Sequence, residues 1–171
     1  MKTAIALLTL TLAQILSPTA QANGVVLEAS LDQFQLDPIH TQSYASPVHG
    51  TIVLDLGAKT AELTVNYRRS CPPRMACPAV MPAPRVVTVP ITHVTTDTCG
   101  SVVYHASRDK RPVDGVFSAL TITDNTGNRC PHFHFVAMAA TEVVYETSFY
   151  NRINRGESSG ISKMTGGALR R

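Results

Sequence analysis

Between Thr51 and Tyr67 apolar side chains recur at every second position, and this alternation restricts the fold more than any other feature. Ile52, Leu54 and Leu56 share one face of a first run, and Ala61, Leu63, Val65 and Tyr67 share one face of a second. Gly57-Ala58-Lys59 separates them. A period of two is that of a half-buried strand, and two such runs around a short glycine-containing turn predict a β-hairpin. Further β-rich runs follow at Arg85–Val94, Gly100–Ser107, Val116–Thr123, His132–Ala139 and Thr141–Tyr150, with a first short one at Gly24–Ser30. Residues 31–47 keep no period and contain Asp37-Pro38 and Ser46-Pro47, so they read as loop. No window has the 3.6-residue period of an amphipathic helix. The expectation is an all-β fold: a single antiparallel sandwich or barrel-like domain of about eight short strands.

The N-terminus carries a different signal. Lys2, an apolar run from Ala4 to Leu16 and Ala20-Gln21-Ala22 together form an export signal with its cleavage site over residues 1–22. The apolar run is shorter than the roughly 20 residues that span a bilayer, and no later stretch approaches that length, so no transmembrane segment is expected. The expected product is exported, periplasmic or secreted. It consists of a β domain at 23–150 followed by residues 151–171, and at about 150 residues it is long enough to hold a core without a cofactor. The formal net charge is +3. From Arg152 onward five basic residues (Arg152, Arg155, Lys163, Arg170, Arg171) face a single acid, Glu157, which leaves the domain mildly acidic. With four glycines and no alternation, residues 151–171 read as a disordered, flexible basic tail. Export makes nucleic acid an unsuitable partner for it.

Residues 71–85, Cys-Pro-Pro-Arg-Met-Ala-Cys-Pro-Ala-Val-Met-Pro-Ala-Pro-Arg, interrupt the strands with five prolines. Proline fixes φ and removes a donor, so this stretch is a stiff surface loop. In an oxidising compartment the four cysteines form two disulfides, for which three connectivities exist. Cys71–Cys77 closes a short ring, which leaves Cys99–Cys130. In a plain meander of residues 100–136 those two cysteines would start strands about 9.6 Å apart, beyond the roughly 7 Å reach of a disulfide. The bond therefore requires both to lie in flanking turns. A zinc site is the alternative, but C-x₅-C is wider than the usual ligand spacing.

Three chemistries deserve residue assignments. A closed, proline-stiffened ring with Arg74 and Met75 at its crown has the physics of a protease-inhibitor loop: Arg74 would enter an acidic specificity pocket, and pre-organisation would limit the entropy lost on binding. In Cys130-Pro131-His132-Phe133-His134-Phe135 the histidines alternate with phenylalanines, which places His132 and His134 about 6.6 Å apart on one face. With His105 or His93 they could hold copper or zinc, and Met75, Met81 or Met138 could add sulfur for copper. Gly156-Glu157-Ser158-Ser159-Gly160 matches G-x-S-x-G in letters but lacks the buried strand before it and the helix after it. With no other catalytic motif, the expectation is a non-enzymatic domain needing no cofactor. It would bind a protein or envelope polymer. The serine-protease inhibitor and the copper or zinc carrier are the alternatives.

Overall fold

The computed structural model describes residues 24–37, 45–71, 79–80, 82–108, 116–130, 138–151 and 156–171. The expected signal at 1–22 lies outside them. The strands are β1 (Val26–Gln35), β2 (Ala45–Asp55), β3 (Thr60–Arg69), β4 (Arg85–Thr96), β5 (Val102–Arg108), β6 (Val116–Asp124), β7 (Thr141–Asn151) and β8 (Gly156–Gly166). Each pairs antiparallel with its successor and β8 returns to β1, so the expected barrel-like all-β domain is a closed eight-stranded barrel. No helix among the described residues is long and apolar enough to cross a membrane.

The hairpin read from the alternation is β2–β3. Its turn is fixed by the Asp55 carboxylate, which accepts a hydrogen bond of 2.7 Å from the Ala58 N–H, and Lys59 completes it with a left-handed φ of 54°. The same-parity residues then point inward. Ile52, Leu54, Leu63, Val89, Leu120, Ile122 and Val143 are almost fully buried and fill the barrel, as the narrow interior of an eight-stranded barrel requires. Outward positions carry residues such as Glu62, Thr88 and Lys163, and the last of these pairs with Glu142 at 3.8 Å. An apolar interior under a largely polar exterior is the reverse of a lipid-facing barrel.

The expectation for residues 151–171 is corrected. Gly156–Gly166 is not a disordered tail but the strand that closes the barrel, pairing with β7 along its length and with β1 from Leu31 to Gln35. Met164 and Ser162 are buried. The alternation failed to reveal β8 because its inward positions include Gly160 and Ser162, whereas Ile161 points out and is 56% exposed. Gly166 meets β1 so closely that a Cβ there would overlap the Ser30 carbonyl oxygen and lie 2.8 Å from Leu31 Cα. Beyond it the chain still follows β1: Gly167 N–H donates to Ser30 O, and Glu28 and Arg170 exchange backbone bonds of 2.7 and 2.9 Å.

Residues 31–47 contain the end of β1 and the start of β2, not only loop. Register shifts between Leu31 and Gln33 and between Pro47 and His49 reverse the parity there, which erases the period-two signal. The expected strand at His132–Ala139 falls mainly outside the described residues, and Met138 and Ala139 belong to no strand.

The barrel has two unlike ends. One carries the β1–β2, β3–β4, β5–β6 and β7–β8 connections, the proline loop among them. At the other, Cys99 and Cys130 join the β4–β5 turn to the β6–β7 connection with Cα atoms 5.0 Å apart. Both cysteines lie outside strands, as their reach demanded. Asp97 accepts from the N–H groups of Cys99 and Ser101, each at 2.8 Å. The buried Ser101 hydroxyl donates to Asn125 Oδ1 and accepts from Asn128 Nδ2.

Candidate functional site at the proline-loop end

β4 pairs with β3 only as far as Arg85 opposite Val65. β3 continues through Tyr67 to Arg69, held by β2 alone on that stretch. The proline loop thus leaves from a projecting strand end. Arg69 Nη2 donates to Ala79 O at 2.7 Å and so ties the two limbs of the loop together. Cys71, at its start, is disulfide-bonded, and no described cysteine is free. Arg74, Met75 and Cys77 lie outside the described residues.

At this end of the barrel the interior changes from aliphatic to polar and aromatic. Tyr67 and Tyr145 are buried, as are Thr147 and Ser162, and half-buried Arg85 stands among them. Inward parity brings them together: Tyr67 continues the face of Leu63 and Val65, and Arg85 that of Val87 and Val89. Arg85 hydrogen-bonds to the Tyr67 hydroxyl, and its guanidinium carbon lies 5.5 Å from the centre of the Tyr145 ring, within cation–π range. Burial raises the Tyr67 hydroxyl above the ordinary phenol range; the Arg85 charge and hydrogen bond oppose this, and Tyr145 adds to it. The phenol is therefore neutral at physiological pH and available as a hydrogen-bonding group. Ser162 Oγ accepts from the Asp37 N–H at 2.9 Å, which anchors the chain leaving β1 over the same end. The arrangement gathers one half-buried cation, two buried tyrosines and the buried hydroxyls of Thr147 and Ser162 at one end of the barrel.

Sequence reasoning missed this cluster. Tyr67 was legible as an inward residue and Arg85 shares the parity of Val87, but only the closed strand order brings β3, β4, β7 and β8 around one axis.

Of the histidines, His132 and His134 lie outside the described residues. His105 meets His93 instead. They are cross-strand partners on the outer face of β4–β5, stacked with ring centroids 4.2 Å apart and planes 12° apart. Thr92 Oγ1 donates to His105 O at 3.0 Å and also lies 3.0 Å from His93 Nδ1. Because the hydroxyl has one proton, Nδ1 is the donor in the second contact. Burial, and then the neighbouring His93, lower the pKa of His105. Stacked rings present their faces to each other, so their lone pairs do not converge on one ion. Among the described residues no group of three metal-ligating side chains gathers.

Gly156–Gly160, the formal G-x-S-x-G, lies within β8 rather than at a strand–helix turn. Comparisons with protein-family models, curated proteins and solved structures return no match.

Proposed function

We propose that the protein is an exported, non-enzymatic binding domain that engages a protein or an envelope polymer through the proline-loop end of its barrel. The observation that carries this reading is the Arg69–Ala79 tie beside disulfide-bonded Cys71. A loop braced at its base loses little conformational entropy on binding. The Tyr67–Arg85–Tyr145 cluster at this end of the barrel supplies the residue types in which binding hot spots are rich. The Cys99–Cys130 disulfide suits an oxidising compartment. Affinity capture from envelope extract tests the reading. Arg69→Ala together with Arg85→Ala should lose whatever wild type retains, while a change in the disulfide end should not. Equal capture by both variants would overturn it.

The same brace favours one particular partner class, a trypsin-like serine protease docked on Arg74. Oxidised protein mixed with such a protease should inhibit it stoichiometrically, and Arg74→Ala should abolish inhibition without changing thermal stability. Full protease activity in the presence of wild type would remove this partner and leave the general binder standing.

A further inference from the structure

At the disulfide end, β4 and β5 outrun β3. β3 begins at Thr60, opposite Pro90, whereas the β4–β5 ladder continues from Ile91 to Thr96. A bulge between Ile91 and His93 reverses the parity of β4. His93 therefore turns outward with His105, while Val94 lies opposite Tyr104 on the inward face. With no β3 beside it, this inward face is open, and Val94 is 50% exposed. Between it and the β2–β3 turn is a cavity of about 430 Å³ lined by Leu56, Lys59, Ile91, Val94 and Tyr104 together with the polar Thr92 and His93. That volume lies in the range of small-molecule sites.

Three independent features converge on this cavity. Its walls are mainly aliphatic or aromatic, and no carboxylate lines it. Its one permanent charge is Lys59, which forms no ion pair among the described residues. Lys59 also occupies a left-handed conformation, φ 54°, that is uncommon for a residue other than glycine, asparagine or aspartate. The turn holds it there: Asp55 is engaged with the Ala58 N–H, and the Lys59 carbonyl accepts from Ile91 N–H at 2.8 Å. Strained backbone and a β-bulge side by side are features that concentrate at ligand sites.

We infer that this cavity binds a small amphipathic anion, a carboxylate bearing an aliphatic chain. The chain would lie against Leu56, Ile91, Val94 and Tyr104, and the head group would meet the Lys59 ammonium. The inference does not depend on the reading of the proline-loop end, which is at the opposite end of the barrel.

Isothermal titration of the oxidised protein with hexanoate, octanoate and decanoate tests it. The expected result is a single saturable site whose affinity rises roughly threefold to fourfold with each added methylene. Lys59→Asn keeps a residue that tolerates the left-handed turn but removes the charge, and should weaken decanoate binding about fivefold. Val94→Asp, at an exposed position, should weaken it more; Arg74→Ala should leave it unchanged. Absence of saturable decanoate binding overturns the inference. So does wild-type affinity in Lys59→Asn, a result that decides the matter even if Val94→Asp folds poorly.

Discussion

At the scale of single residues, the stacked His93–His105 pair has the clearest solution consequence. Burial and the facing ring lower the pKa of His105 in the folded barrel and so favour its neutral form. In the unfolded chain it titrates near its ordinary value of about 6.5. Its stabilising contribution is thus complete above that value and is lost as the pH falls through the lowered folded value, because the unfolded chain then binds the extra proton. Thermal unfolding followed from about pH 7.5 to about pH 5 should show a steeper loss of Tm for wild type than for His105→Gln. Parallel curves would mean that the pair is not a determinant of acid sensitivity. Sequence inspection could place both histidines on strands, yet their pairing depends on a register that the bulge in β4 sets.

Among the elements, the β4–β5 turn and the β6–β7 connection act as one unit. The Cys99–Cys130 bond spans 31 residues, and Asp97, Ser101, Asn125 and Asn128 knit the same turns together by hydrogen bonds. Gly100, with φ of 92°, allows the close approach, since a Cβ there would stand 2.9 Å from Gly127 O. A ring of that size restricts the unfolded chain by about 3–4 kcal/mol. Cys99→Ala with Cys130→Ala should lower unfolding stability in urea by that order; a change under about 1 kcal/mol would place the stabilisation in the hydrogen bonds instead. The requirement that both cysteines sit in turns was legible, because strand spacing and disulfide reach are fixed lengths. The element that escaped detection is β8, where small inward residues erase the hydrophobic period.

For the molecule as a whole, closure is the decisive event. β8 covers the free edges of β1 and β7 and adds Met164 to the core. Ending the chain at residue 155 should therefore abolish cooperative unfolding, because two strand edges and the apolar interior would be opened to water. A truncated chain with a wild-type transition would show that residues 156–171 are dispensable. By itself the sequence determined the strand class, the central hairpin, the position of the proline loop and the condition that a Cys99–Cys130 bond needs both cysteines in turns. These follow from local rules: side-chain period, proline stereochemistry and bond lengths. Only the tertiary structure decided closure through β8, the Tyr67–Arg85–Tyr145 cluster, the His93–His105 stack and the cavity beside Lys59. Each depends on which strands become neighbours and where a bulge reverses their faces, and those are long-range pairings that no local pattern encodes.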